Sequence, residues 1–168
     1  MNINKYRKTT KMKRSEIYKE LRDRAALKLQ DLRFIDLQKG QFQKPSQNYP
    51  IPLPALLIEI GDFRFSNLSE GWQKGDGTIS VYLYLDLVSD SFVGAERENQ
   101  TIEILDKQDE LFEAFGGVTV SPLATPLVRQ TEHKPQYGTR YIMLRVDFTT
   151  TIDDGKTIAD KPKKPFNF

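Results

Sequence analysis

Ile17, Leu21, Ala25 and Leu29 recur every fourth position, while Lys19, Glu20, Arg22, Asp23 and Lys28 lie mostly off that stripe. The spacing predicts a helix with one docked face and the rest in water. Ser15 reads as its N-cap and Glu16 as the acid of its first turn, where unpaired amides and the helix dipole favour an acceptor and a negative charge. Leu32 to Leu37 reads as a short strand, with Phe34 and Ile35 leaving its buried face open. Between Gly40 and Pro54 stand four prolines. They deny helix and central strand and predict an extended connection with a fixed course, packed onto the body by Phe42 and Tyr49.

Two longer strands follow. From Ala55 to Phe65, Leu56, Ile58 and Ile60 share one face with Glu59 on the other, and Gly61 marks a bulge or bend. Gly71, Gly75 and Gly77, with the pair Asp76-Gly77, read as a turn. Beyond it Ile79, Val81, Leu83, Leu85 and Leu87 alternate with Thr78, Ser80, Tyr82, Tyr84 and Asp86. That alternation predicts a strand with one core face and one polar face carrying two tyrosines, the second member of a long antiparallel pair. A second helix is predicted from Glu98 to Phe115. Its apolar face is Ile104, Leu105, Leu111, Phe112 and Phe115, its remainder includes Glu103, Asp106, Asp109, Glu110 and Glu113, and Gly116-Gly117 is its exit. After a short Val118 to Val120 segment, Leu127 to His133 reads as a strand, Pro135 to Gly138 as a turn and Tyr141 to Ile152 as the returning strand. In that last strand Ile142, Leu144, Val146 and Phe148 alternate with Met143, Arg145, Asp147 and Thr149. The order of elements predicts an α+β fold: a mainly antiparallel sheet with two helices packed on one face, and extended N- and C-terminal arms.

The 168 residues are 38% apolar and 29% charged, which suits one domain with a real core. Without cysteine, and with His133 as the lone histidine, the chain has no disulfide framework, thiol nucleophile or multi-histidine metal site. No cofactor is expected either. No apolar run approaches the ~20 residues of a membrane span, so no membrane partner is expected. The opening MNINKYRKTTKMKR lacks the apolar core of a secretory signal, which predicts synthesis and retention in a cytosol-like compartment.

The near-neutral total of +2 hides a strong polarity. Residues 1–33 carry 11 Lys/Arg against 4 Asp/Glu, residues 34–154 carry 10 against 18, and residues 155–168 carry 4 against 1. The chain therefore divides into a basic arm (1–14), an acidic α+β body (15–154) and a basic, Pro-rich tail (155–168) containing Lys161-Pro162-Lys163-Lys164-Pro165. One reading is that Lys5, Arg7, Lys8, Lys11, Lys13 and Arg14 neutralise phosphates with steep salt dependence. A second is self-association, a basic extension of one copy meeting the acidic body of the next. A third is that both termini are simply solvated.

Catalytic machinery is hard to find. GWQKGDG has neither phosphate-loop nor dinucleotide spacing, no serine sits in a Gly-x-Ser-x-Gly elbow, and His133 is flanked by charge like a surface residue. The acids of the second helix describe a solvated face rather than a catalytic pair. Trp72, Tyr82 and Tyr84 suit a covered sheet face or a subunit interface. No catalytic residue is assigned and no enzyme is expected.

The phrases SEIYKELRDRAALKL, LRFIDLQKGQF, PALLIEIGDFRF, GDGTISVYLYLDL, TIEILDKQDELFEAFGG and YIMLRVDFTTTIDD, in that order, resemble the small tail-terminator or tail-completion proteins of tailed bacteriophages and prophages, especially those of Bacteroidetes hosts. The likeness spans roughly residues 15–154; the basic extension before Ser15 and the Lys/Pro tail depart from the compact pattern. It implies a virion protein made in the host cytoplasm that forms a closed ring at the head–tail junction. Its partners would be further copies of itself, portal, adaptor or neighbouring ring proteins and the tail tube, with DNA passing through the lumen without sequence-specific binding. The interface would involve Lys5, Arg7, Lys8, Lys11, Lys13, Arg14, Trp72, Tyr82, Tyr84, Lys161, Lys163 and Lys164. The competing expectation is a nucleic-acid-binding accessory protein that uses the basic arm and stacks bases on Tyr82 and Tyr84.

Overall fold

A computed structural model describes residues 13–43, 50–69, 72–87, 94 and 98–154. It contains helix α1 (Arg14–Lys28), strands β1 (Phe34–Leu37), β2 (Ala55–Ser69) and β3 (Trp72–Asp86), helix α2 (Glu98–Phe115), and strands β4 (Val128–Tyr137) and β5 (Tyr141–Asp154). The strands form one sheet in the order β1-β2-β3-β5-β4. Among the described residues only β1 and β2 run parallel, and the other pairings are antiparallel. Both helices pack on one face, which gives the α+β arrangement expected from the alternation of elements.

The helix-covered face holds the main core. Ile17, Leu21, Ala25 and Leu29 of α1 form the buried stripe, and Ile104, Leu111 and Phe115 of α2 meet Ile142, Leu144, Val146 and Phe148 of β5 and Ile79, Val81 and Leu83 of β3. α1 begins two residues earlier than its sequence suggests. Lys13 occupies the N-cap without a side-chain bond, and its carbonyl accepts the amide of Ile17, so Ser15 lies inside the first turn instead of capping it. α2 leaves through Gly117, whose φ of +75° lies in the left-handed region that favours glycine. Arg24 of α1 donates to the Ala114 carbonyl near that end at 2.9 Å. Leu105, placed on the apolar face by spacing, is 54% exposed. The docked stripe is narrower than the apolar composition suggests.

Gly75 and Gly77 make strand, not a turn, and Gly71 lies outside the described residues. Gly75 and Gly77 lie within β3, opposite Phe65 and Phe63 of β2. A Cβ on Gly77 would collide with the Phe63 ring, and one on Gly75 with the Phe65 ring. The absent side chains are what let aromatic rings lie flat across the neighbouring strand. A register shift between Ile60 and Phe63 accompanies this, the bulge that Gly61 signals. Gly77→Val is therefore expected to destabilise the fold by about 2 kcal/mol through overpacking. Urea unfolding should show this cost shrinking in a Phe63→Ala background, because the colliding ring is then gone.

The second face of the sheet differs most from expectation. A parallel pair needs a crossover, ordinarily a helix; here the segment between β1 and β2 is the proline-bearing stretch. Its described parts lie over the second face, with Phe42, Ile51 and Leu53 packed on Ala55, Leu57, Tyr82 and Tyr84. Tyr82 and Tyr84 are 7% and 4% exposed, so the predicted polar face is a second small core. Tyr49 lies outside the described residues.

The terminal hairpin is also longer than its turn residues suggest. β4 continues through Pro135 to Tyr137, with a register shift between His133 and Gln136. Proline is tolerated there because β4 is an edge strand and the bulge removes the need for its amide.

A tyrosine-lined cleft and a buried ionic network

Three cross-strand rows run over the second face. Leu57, Tyr82, Arg145 and His133 form one; Glu59, Ser80, Asp147 and Thr131 lie on one side of it, and Ala55, Tyr84, Met143 and Gln136 on the other. Because side chains alternate strictly along a strand, these rows share a face. Strand register alone thus brings Glu59, Tyr82, Arg145, Asp147 and His133 together.

Asp147 is the centre of the network and is 7% exposed. Arg145 donates to both its oxygens, Nε at 2.9 Å and Nη2 at 3.1 Å, and His133 Nε2 lies 2.8 Å from Oδ2. Burial alone would raise the Asp147 carboxyl, but bonds from Arg145, Ser80 and His133 outweigh it and hold the group below the usual carboxylate range. The Arg145 guanidinium also lies over the Tyr82 ring, 5.1 Å from its centroid. Tyr82 donates its hydroxyl to Glu59; burial, then that bond, pushes its phenol well above the ordinary tyrosine value.

The order Ser80, Asp147, His133 sets the carboxylate between hydroxyl and imidazole. A nucleophilic serine needs the imidazole against its own hydroxyl, so this arrangement fixes strands together and does not activate Ser80. Among the described residues no group of three or more His, Asp or Glu side chains is placed to hold a metal ion. No described helix is long and apolar enough to cross a membrane.

Beside the network opens a cleft of about 600 Å³. Gln38 and Gln43 form one wall, Glu59, Tyr82 and Arg145 part of the floor, and the β4–β5 turn with Tyr137 and Tyr141 the other wall. Phe42 stacks on Tyr84 at 3.9 Å, and Tyr141 meets both rings edge-on at 5.0 and 5.1 Å. Tyr137, on the rim, is 60% exposed.

The residues singled out from sequence have separate locations. Tyr82 and Tyr84 sit at this cleft, but their faces are taken by Arg145 and Phe42, which leaves them poorly suited to stacking on bases. Lys13 pairs with Glu16 at 3.6 Å. Arg14 lies over the Phe63 ring at 5.4 Å and donates to the Gly61 carbonyl at 3.3 Å. Trp72 is half-buried at the start of β3. Lys5, Arg7, Lys8, Lys11, Lys161, Lys163 and Lys164 lie outside the described residues. Sequence reasoning missed Asp147, Arg145 and Glu59 as a connected set. The signal was there in the paired alternation of β3 and β5, but it becomes readable only once their register is known.

No known protein family and no curated protein matches the chain. Among several solved structures similar to the chain, one has 12% identity and a TM-score of 0.46, over 83% of this chain and 92% of its own.

Proposed function

We propose that the chain is a structural virion protein of a tailed bacteriophage, a subunit of a closed ring at the head–tail junction. The observation that carries this reading is a pair of exposed apolar sites on one subunit. Phe65 and Leu68, 46% and 61% exposed, lie on the far part of the β2–β3 hairpin, and Ile102 and Leu105, 53% and 54% exposed, lie in the first half of α2.

These sites are at opposite ends of the sheet. α2 runs in the direction of β5: Gln108 bonds the His133 carbonyl at the level of Arg145, and Phe112 stacks on Phe148. Phe65 instead faces Gly75, the partner of Ile152. From Arg145 to Ile152 is about 23 Å along the strand. Two different patches set apart in this way suit head-to-tail association, which closes into a ring when the rotation per subunit divides the circle. An isologous dimer would need only one.

The charge distribution supports the same reading. Residues 34–154 carry 18 acids against 10 bases, a sign that lets DNA pass a lumen without adhering. Portal or adaptor proteins and the tail tube are the neighbours such a ring would contact.

Sedimentation of the full chain is expected to give a concentration-dependent, closed assembly of discrete mass. Leu68→Asp and Leu105→Asp should each weaken association roughly 30-fold or more, the scale of a lost interface anchor. Mixed one to one, the two variants should form a dimer and stop, since each retains the patch its partner needs. A wild-type chain that remains monomeric at high concentration overturns the proposal, as do two single variants that assemble normally.

A further inference from the structure

We propose that the tyrosine-lined cleft binds the Pro162-Lys163-Lys164-Pro165 segment of a neighbouring copy, so that each tail fastens onto the next subunit. The inference rests on the reading of this chain as a self-associating subunit and gives that association a second, distinct contact.

The first support is what the face already accepts. Ile51 and Leu53, within Pro50-Ile51-Pro52-Leu53-Pro54, pack against the cluster containing Tyr82 and Tyr84. A proline-bearing stretch is thus seated on this surface within the chain itself, and the open cleft continues the same surface toward Tyr137 and Tyr141.

The second support is chemical fit. A polyproline helix has three residues per turn and leaves its carbonyls unbonded, so prolines three apart present one apolar ridge. Aromatic grooves with amide and hydroxyl donors take such ridges. The rim offers the exposed ring of Tyr137, the half-buried Tyr141 and Met143, and the amides of Gln38, Gln43 and Gln136. Glu59 stands exposed on the floor as a counter-charge for a tail with 4 basic residues against 1 acidic over 155–168.

The third support is reach, and it decides between a chain's own cleft and its neighbour's. Tyr137 pairs with Ile142, while Asp154 pairs with Gln73 at the other end of β5. Those twelve residues of strand span about 40 Å. Eight residues from Asp154 to Pro162 reach at most about 29 Å fully extended, and three more in a polyproline helix bring Pro165 to about 38 Å. The motif would therefore lie along its own cleft only with the linker pulled fully taut, which costs the chain its conformational freedom, and a neighbouring copy supplies it without that tension.

A labelled peptide of residues 158–168, titrated into the full chain carrying Pro162→Ala and Pro165→Ala, tests this directly. Saturable binding is expected, reduced at least about tenfold by Tyr137→Ala in the receiving chain and by alanine at both peptide prolines. Tyr137 is exposed, so its variant should keep the wild-type melting temperature. Proline-dependent, Tyr137-dependent binding, with a wild-type chain that forms only open, tail-linked oligomers, would uphold the docking and overturn the ring; a wild-type chain that stays monomeric overturns both. A discrete ring with no peptide binding up to about 1 mM would do the reverse. Equal binding of the proline-free peptide would reduce the contact to charge attraction and overturn the proposal.

Discussion

Phe148→Ala is expected to lower stability by about 4 kcal/mol, the most damaging single truncation in this core. Phe148 is fully buried, stacks parallel to Phe112 at 6.4 Å and meets Phe115 edge-on at 6.3 Å. Its ring is the point where α2 is pressed onto β5, and it sits beside Ile79 in the register with β3. Removing it leaves a cavity lined by two rigid aromatic rings and a strand, none of which can collapse to fill the space. In a domain of this size such a loss lowers the melting temperature by roughly 10 °C or more. Phe148→Leu keeps most of the volume and should lose only about 1.5 kcal/mol. Denaturant midpoints of the two variants, measured with unchanged slopes, check the prediction; equal losses would mean that the aromatic packing contributes little.

The periodicities were enough for this half of the molecule. Alternation along β3 and β5 and the fourfold spacing in α1 name the residues of the main core almost individually, because hydrophobic burial on one face leaves a period in the sequence. What a period does not contain is the identity of whatever covers the other face. Ser80, Tyr82 and Tyr84 read as a polar face, its two tyrosines suited to a covered surface or a subunit interface. What covers them is the proline-bearing crossover from β1 to β2, packed on by Phe42 as its composition suggests; that it lands on this face is a tertiary event with no local signature. The glycines of β3 fail for a related reason. Asp76-Gly77 carries the composition of a turn, and only the cross-strand rings of Phe63 and Phe65 explain why glycine is needed in a strand.

The candidate site was less legible still. Its polar members alternate with core residues and so resemble any exposed strand face; Asp147 and Arg145, two residues apart on β5, look like a solvated surface pair. Burial turns the same two side chains into a charged network joined to β4 by His133 and neighboured across β3 by Tyr82 and Glu59. The lone histidine, read as a surface group, ties the edge strand down. That gives β4 a side-chain anchor beyond its ladder, useful where bulges interrupt the pairing between Arg129 and Thr131 and again between His133 and Gln136.

This network makes Asp147→Asn the second large effect, about 3 kcal/mol of destabilisation at neutral pH. The loss arises because Arg145 then faces an amide that offers it no negative charge, while the Ser80 hydroxyl and the His133 ring lose the same partner. Replacing both ions, as in Asp147→Leu with Arg145→Met, should be less damaging than Asp147→Asn alone, since no unpaired charge remains. The pH dependence fixes the assignment. The folded carboxyl is held below its unfolded value of about 3.9, so its contribution is fully present above that value and is lost as pH falls through the lower, folded pKa. Asp36 is also held low: its burial is outweighed by bonds from Lys39, the Leu37 amide and Gln41, but it is common to both chains and cancels in the comparison. The stability gap between wild type and Asp147→Asn should therefore narrow steadily as pH falls below about 5. Urea midpoints across that range are the measurement. A gap that stays constant down to pH 2 would mean that Asp147 is held by shape and not by charge.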